Sequence, residues 1–271
     1  KKFLMIRHSE TGAGDGCRRK RIRTDYIVED AVFHLQFSTK SSQNSAASDQ
    51  EEVHYKTCFY VGEWKVISTS EVKAIFLTAL HGGLKMNMDV LIKKSVIQGK
   101  TGRVIYVNEI SNIAIVAAVY VPECEPLLFQ SSRYAMKKVS IAGFGMNMQA
   151  HDTACLLDCN ISSVKAGSDI TQLKSEYCGQ FAKWRTSRFF LLDETTDFGF
   201  SGAPVVDGAA RVVGMLCASE HVCLSWALKS DFIQDALNDC VTIKPIDLGY
   251  YDRLLITANS ARLKTKEPQI N

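Results

Sequence analysis

The sequence predicts an all-β protein with the architecture of a sandwich or a barrel. Between residues 26 and 241, apolar residues come mostly in runs of four to eight, separated by Gly, Asn and Ser. Several runs alternate apolar and polar residues with a period of two, which indicates β-strands. Many short strands at such spacing are typical of sandwiches and barrels.

The predicted elements follow these runs in order along the chain. Strands are predicted at residues 32–37, 74–78, 104–107, 113–116, 139–142 and 212–216. Residues 38–52 are polar, without a large apolar side chain, and predict a long loop. One helix is predicted near the end, with Ser230 as its N-cap and an apolar face over residues 231–237.

Composition excludes several classes of protein. The 271 residues are 46% hydrophobic and 23% charged, which excludes collagen-like and wholly disordered chains. A net charge of +3, from 32 basic and 29 acidic side chains, is too small for binding nucleic acid over the whole surface. No stretch reaches the roughly 18 apolar residues of a membrane span, so no membrane partner is expected.

Cysteine usage favours an intracellular protein. Nine cysteines are an odd number without a repeating frame, which indicates a reducing compartment, cytoplasmic or nuclear. The apolar run at residues 3–6 is too short for a secretory signal. Cys155 and Cys159 have no Cys or His pair at zinc-finger spacing, so no metal is expected.

The two ends of the chain differ in composition from the β-rich part. Residues 1–25 form a basic arm, in which five of the six residues from Arg18 to Arg23 are cationic and therefore exposed. Two interpretations stay open for this arm: a nuclear-import signal or nucleic-acid contact, and a solvated segment without a specific partner. Residues 241–271 form a C-terminal extension with a polar end.

The strongest local signal surrounds Ser201. The run from Gly199 to Pro204 reads GFSGAP and is followed by two valines. Flanking glycines allow a tight turn in which backbone N–H groups converge beside the hydroxyl, and such donors can hold an oxyanion. A plain Gly-Ser turn before a strand has the same composition, so the motif alone leaves both interpretations open.

A second signal lies at His81, where an apolar strand ends and two glycines follow. A serine hydroxyl needs an adjacent imidazole to take its proton at neutral pH. His81 is the best candidate because the others fit solvated or packed histidines. The six histidines of the chain are His8, His34, His54, His81, His151 and His221.

Together these segments resemble the chymotrypsin-like serine peptidases, and most closely the shorter-looped HtrA/Deg-type branch and related viral peptidases. Thr78 to His81 matches the Thr-x-x-His motif, and Gly199 to Pro204 matches Gly-x-Ser-Gly-x-Pro. The resemblance extends from residue 26 to residue 239. It implies two antiparallel six-stranded β-barrels and a C-terminal helix, in a peptidase domain at residues 26–240 whose barrels meet near residues 122–135. Nothing after the helix resembles a PDZ domain.

The resemblance also implies the chemistry of a serine endopeptidase. Ser201 would attack a peptide carbonyl, and His81 would act as general base and then as general acid. The backbone N–H groups of Gly199 and Ser201 would form the oxyanion hole. No cofactor is implied, and the expected partner is a protein or peptide substrate.

One position departs from the family pattern. The Asp of the family corresponds here to Asn112, and an amide can orient an imidazole but cannot stabilise its cation as a carboxylate does. Three interpretations compete. Asn112 is the natural third member of a weakly active triad, or Glu109 or Asp89 takes its place, or the chain is a peptidase-like module that binds a protein partner.

Order along the chain excludes the α/β-hydrolases. Their elbow requires Gly-x-Ser-x-Gly, and this chain has Ala203 where the second glycine would stand. Their histidine follows the serine, and only His221 does so here. Phe200 replaces the Asp with which secreted trypsins bind a new N-terminus, so we expect no zymogen switch of that type.

The resemblance places the primary specificity pocket at two segments. Thr195 would line it before the serine, and Cys217, Ala218 and Ser219 would line it on the substrate strand. Leu224 or Ser225 would close the back. None of these side chains carries a fixed charge, and Glu220 is the nearest acid on that strand. We therefore expect a small, apolar or polar-uncharged residue before the scissile bond (P1).

Overall fold

Two six-stranded sheets and two helices make up the described part of the chain. The structure, a computed structural model, describes residues 25–40, 51–65, 71–94, 99–120, 122–130, 138–145, 153–162, 188–220 and 224–242. The basic arm up to Arg23, including Arg18, and the extension beyond residue 242 lie outside these residues.

The first sheet closes into a barrel after a short helix, α1 (Asp25–Asp30). Its strands are paired antiparallel in the order β1-β2-β3-β6-β5-β4, and β4 pairs back on β1. They are β1 (Val32–Lys40), β2 (Glu51–Lys65), β3 (Val72–Ala79), β4 (Asp89–Lys93), β5 (Lys100–Asn108) and β6 (Ile113–Ala118). The barrel is filled by large apolar side chains such as Phe33, Phe59 and Phe76, which are almost fully buried.

The second sheet has the strand order β8-β7-β10-β11-β12-β9. Its strands are β7 (Lys138–Gly143), β8 (Cys155–Asn160), β9 (Phe189–Leu192), β10 (Pro204–Val206), β11 (Val212–Glu220) and β12 (Leu224–Lys229). The two edge strands approach each other at one end, where Ile161 forms an antiparallel bridge with Leu192 and the Asp193 N–H donates to the Asn160 carbonyl at 3.1 Å. The sheet is therefore a nearly closed barrel.

The C-terminal helix α2 (Ser230–Thr242) joins the two halves. It packs on β5 and β6 of the first barrel and on β11 and β12 of the second. Ile233, Ala236 and Leu237 are buried there, which is the apolar face that the sequence predicts. The Ser230 hydroxyl donates to the Gln130 carbonyl at 2.5 Å and so ties the helix start to the segment between the barrels.

The predicted fold class is confirmed: the protein is all-β, with two six-stranded barrels or half-barrels and a closing helix. The predicted loop at residues 38–52 is wrong at both ends. β1 continues to Lys40, and β2 begins at Glu51, with Ser38 opposite Val53 and Thr39 opposite Glu52. Hydrogen bonding between the two strands extends the ladder through polar residues, which a composition argument does not detect.

Within the described residues, no helix is long and apolar enough to cross a membrane.

Candidate active site

His81 and Ser201 are in contact although 120 positions separate them in the sequence. His81 follows the end of β3 in the first barrel, and Ser201 lies in the turn that leads into β10 of the second. The His81 Nε2 atom is 3.0 Å from the Ser201 Oγ atom, which is hydrogen-bonding distance. The two barrels thus bring together the hydroxyl and the imidazole that the sequence singled out.

Gly202 makes the turn around Ser201 possible. Its φ of +93° lies in the left-handed region, which side chains disfavour. A Cβ at this position would lie 2.2 Å from the Thr57 carbonyl oxygen and 2.4 Å from the Thr78 Oγ1 atom. Both the conformation and the close approach to the first barrel therefore require glycine here.

Thr57 of β2 fastens the Ser201 turn to the first barrel. Its hydroxyl donates to the Gly199 carbonyl at 2.9 Å, and its N–H donates to the Ser201 carbonyl at 3.1 Å. The same hydroxyl accepts the Phe144 N–H at 3.0 Å. Thr78, of the Thr-x-x-His motif, donates its hydroxyl to the Thr57 carbonyl at 2.8 Å. One buried threonine thus connects the Ser201 turn, β3 and the second barrel.

The two backbone N–H groups predicted to hold an oxyanion belong to the same turn. Gly199 has a φ of +101°, and its carbonyl is held by Thr57. Among the described residues, neither the Gly199 N–H nor the Ser201 N–H has a protein acceptor. These two N–H groups are therefore available to a ligand beside the Ser201 hydroxyl.

Asn112 lies against the other side of the His81 ring, in the turn between β5 and β6. The His81 backbone N–H donates to Asn112 Oδ1 at 2.9 Å, and the Leu80 N–H donates to the Asn112 carbonyl at 3.1 Å. The Asn112 side chain is buried, and its backbone has a φ of +51°, a conformation that asparagine tolerates better than most residues. The amide is therefore held firmly beside the imidazole.

The orientation of this amide favours one of the two tautomers of His81. The backbone N–H of His81 must face an acceptor, and so Asn112 Oδ1 lies toward the backbone. Asn112 Nδ2 then lies 2.9 Å from His81 Nδ1, while Oδ1 lies 3.2 Å from it. An Nδ2–H donated to Nδ1 leaves the ring proton on Nε2, which points at Ser201. This arrangement favours the tautomer that donates to the serine over the one that accepts its proton.

The two alternative acids lie elsewhere. Asp89 is exposed and accepts from Arg103 Nε at 2.8 Å, so the adjacent Arg103 guanidinium lowers the pKa of that carboxyl. This ion pair lines a cavity of about 300 Å³ on the first barrel, with Trp64 and Lys73. Glu109 is exposed as well, and only its carbonyl interacts with Asn112, accepting the Asn112 N–H at 3.4 Å. Of the three candidates, Asn112 is the one whose side chain contacts the ring.

The buried charge beside His81 is positive. Lys56 of β2 is 5% exposed, and its Nζ donates to the carbonyls of Ala79, at 2.8 Å, and of His81. Burial lowers the pKa of Lys56 to about 7. Burial, and then the Lys56 charge, lower the pKa of His81 to about 3, against a smaller upward effect of Asn112, whose Oδ1 can accept a hydrogen bond from the protonated ring. His81 is therefore neutral over the physiological range.

The predicted specificity residues divide into two groups. Cys217 is fully buried, its Sγ donates to the Met215 carbonyl at 3.5 Å, and burial raises its pKa to about 12, so the thiol is neutral. Ala218 is partly exposed, and Thr195 and Ser219 are exposed. Cys217 is thus buried near Asn112 and Lys56, whereas the other three are at least partly accessible to solvent.

A chain of hydroxyls crosses the predicted pocket. Ser219 Oγ contacts Thr196 Oγ1 and lies 2.8 Å from Ser225 Oγ. Ser225 in turn donates to the Glu194 carbonyl at 2.5 Å. Leu224 belongs to β12, but its side chain lies outside the described residues.

Phe200 packs inside the second barrel. It is 4% exposed, and its ring occupies the space that a side chain would need at Gly143. In the described part of the chain, no group of three or more His, Cys, Asp or Glu side chains could hold a metal.

Comparisons with known proteins bear on the fold. The structure is similar to that of the Rv3671c protease from Mycobacterium tuberculosis in its active form, with a TM-score of 0.55. The likeness covers 87% of this chain and 93% of that one, at 14% sequence identity. This is a chymotrypsin-like fold. No family model matches the chain, and no curated protein matches it in sequence.

Lys56 and Thr57 contact the site but belong to none of the motifs that the sequence singled out. Both lie in β2, where a lysine and a threonine precede an apolar run from Cys58 to Val61. A lysine directly before an apolar run is an unusual signal, because lysine side chains are rarely buried, and it could have pointed to this part of β2. Their partners, however, lie in β3 and in the Ser201 turn, and only the fold brings them together.

Proposed function

We propose that this chain is a serine endopeptidase of low intrinsic activity. The observation that carries the proposal is the 3.0 Å contact between His81 Nε2 and Ser201 Oγ, in a turn whose Gly199 and Ser201 N–H groups are free to receive an oxyanion. A nucleophile, a base within reach and two backbone N–H donors next to the nucleophile are the parts that acyl transfer needs.

Catalysis would proceed in two halves. Ser201 Oγ attacks the peptide carbonyl carbon while its proton passes to His81 Nε2, and the oxyanion takes hydrogen bonds from the Gly199 and Ser201 N–H groups. His81 then donates that proton to the leaving amine, which departs and leaves an acyl-Ser201 ester. A water molecule, activated by His81, hydrolyses the ester. No cofactor enters any step.

Asn112 would orient the imidazole and limit the rate. Before His81 can accept the serine proton, its own proton must lie on Nδ1, where Asn112 Oδ1 can accept it at 3.2 Å. The closer contact, Asn112 Nδ2 at 2.9 Å, opposes that tautomer. Replacing the triad Asp of a serine protease by Asn lowers kcat by ~10⁴, and for this reason we assign a low activity.

The pocket chemistry supports a small or uncharged P1 residue. The hydroxyls of Thr196, Ser219 and Ser225 are linked by hydrogen bonds at the predicted pocket. No side chain in that group carries a charge that would pair with arginine or lysine. Peptide-library cleavage should therefore select small, apolar or polar-uncharged residues at P1, and a clear preference for Arg or Lys would contradict this specificity.

Within the chymotrypsin-like fold, we place the chain with the shorter-looped HtrA/Deg-type or viral-type peptidases. This placement rests on the sequence at residues 225–231, where β12 runs directly into α2.

A second candidate function is a peptidase-like module that binds a protein partner without cleaving it. The amide orientation at Asn112 favours this candidate, because it leaves the proton on the His81 nitrogen that faces Ser201. The surface around Ser201 and the ring of Phe198, beside Gly199 and 71% exposed, would then serve as a binding surface.

Reaction with a fluorophosphonate probe separates the two candidates. Native protein should be labelled at Ser201, as located by peptide mass spectrometry. Ser201→Ala should abolish the label, and heat-denatured protein should lose it as well. A folded native protein that stays unlabelled at Ser201 would favour the binding module.

A further inference from the structure

Lys56 is attached to the turn that carries His81. Its Nζ donates to the carbonyl oxygens on both sides of Leu80, those of Ala79 and His81. The same atom lies 3.6 Å from the point where a Cβ on Gly82 would stand. Because β2 lies within the barrel wall, this side chain ties the His81 turn to a fixed strand.

The charge of this side chain has no carboxylate partner among the described residues. The titratable groups that face it there are His81, after β3, and Cys217, on β11. Cys217 is a neutral thiol, because burial raises its pKa to about 12. Asn112 and Ser201 complete the cluster and carry no charge. A chymotrypsin-like triad with an Asp has a buried negative charge here, whereas this site has a buried ammonium.

We propose that Lys56 is the positioning residue for His81: it holds the turn that carries the ring, and its ammonium opposes the positive charge that the ring takes during catalysis. The part of this inference that concerns catalysis at Ser201 rests on the proposed hydrolase function. Its electrostatic part concerns Lys56 and His81 alone.

The hydrogen bonds allow Lys56 to lose its proton without losing its place. A neutral amine has two N–H groups, and the Ala79 and His81 carbonyls provide two acceptors. Burial, which lowers the pKa of Lys56 to about 7, puts that loss within the physiological range. Below pH 7 the ammonium disfavours the His81 imidazolium, and above pH 7 this repulsion disappears. The reactivity of Ser201 should therefore rise with pH through about 7, although His81 itself stays neutral throughout.

The first test measures His81 directly and does not depend on turnover. The ¹⁵N shifts of the His81 ring are followed against pH in wild-type protein and in Lys56→Met, which has a similar length and no charge. We expect the pKa of His81, about 3 in the wild type, to rise by ~1 unit or more in Lys56→Met. Lys93→Met is the matched control: Lys93 donates to Gln36, at 2.6 Å, outside this cluster, and its loss should leave the His81 titration unchanged.

The second test measures the rate of fluorophosphonate labelling at Ser201 from pH 5 to pH 10. In wild-type protein the rate should rise with a midpoint near 7, and in Lys56→Met the midpoint should move lower. Lys56→Arg keeps a cation that does not deprotonate, so its rate should stay low over the whole range. Circular dichroism and thermal melting establish that each variant is folded.

The outcomes of the two tests are separable. A wild-type His81 that titrates near its ordinary value of 6.5, or a folded Lys56→Met with the wild-type titration, overturns the role of Lys56. If His81 shifts as expected while Ser201 is never labelled, the electrostatic coupling stands and the hydrolase proposal fails. If Lys56→Met does not fold, the wild-type titration and the Lys56→Arg profile still decide the question.

Discussion

Asn112→Asp replaces one side-chain atom beside the His81 ring and should accelerate the reaction at Ser201. The oxygen that accepts the His81 backbone N–H at 2.9 Å is retained. The atom 2.9 Å from His81 Nδ1 changes from a donor to an acceptor. The ring proton then moves to Nδ1, and the lone pair of Nε2 faces the Ser201 hydroxyl at 3.0 Å.

The expected gain follows from what the carboxylate supplies. The reverse exchange in serine proteases costs ~10⁴ in kcat, equivalent to ~5.5 kcal/mol of transition-state stabilisation. Here the Lys56 ammonium, whose charge disfavours the His81 imidazolium, would offset part of the stabilisation that the new carboxylate gives to it. We therefore expect an increase of ~10² to 10⁴ in the rate of acylation. The φ of +51° at this position is also accessible to Asp, so the fold should survive.

The measurement is the second-order rate of fluorophosphonate labelling at pH 7.5, together with kcat/KM on a peptide with a small P1 residue. Asn108→Asp is the matched control: it adds the same charge on β5, where Asn108 contacts Tyr106 and Ser111 instead of the ring. The double variant Asn112→Asp/Ser201→Ala should be inert. A folded Asn112→Asp protein whose rates equal those of the parent would refute the tautomer argument.

Three further predictions concern the architecture of the site. Gly202→Ala should lower the free energy of unfolding, measured by urea titration, by more than ~2 kcal/mol. The new Cβ would lie 2.2 Å from the Thr57 carbonyl oxygen, on a residue whose φ is +93°. An unchanged urea midpoint would contradict this close approach. Thr57→Val should lower the free energy of unfolding by ~1–3 kcal/mol and slow labelling at Ser201, because the Gly199 carbonyl loses its hydrogen-bond donor. Thr101→Val, on an exposed part of β5, is the control and should change neither the stability nor the labelling rate. The pKa of His81 falls from 6.5 to about 3 on folding, so between these values the unfolded chain binds a proton that the folded protein does not. Stability should therefore fall as pH falls from 6.5 to 3, by on the order of 4 kcal/mol more than in His81→Gln. If urea unfolding of the two proteins had the same pH dependence, burial would not lower the pKa of His81 as described.

Much of the architecture was accessible from the sequence because strands and helices have local periodic signals. The apolar run at residues 113–116 and the face of the C-terminal helix are examples, and each appears in the structure as predicted. The error at residues 38–52 has the opposite cause. Polar residues there join a ladder because a partner strand offers hydrogen bonds, and that partner is not visible in local composition.

By itself, the sequence determined the candidates His81 and Ser201, because each lies in a short motif that neighbouring residues alone reveal. His81 stands at a strand end followed by two glycines, and Ser201 stands between glycines. Tertiary structure alone decided which atom of Asn112 faces the ring, that Lys56 lies under the His81 turn, and that Thr57 holds the Gly199 carbonyl from 142 positions away. The physical reason is that proton affinity and hydrogen-bond direction depend on distances between groups on different strands. Those distances arise only when the two barrels have folded and packed against each other.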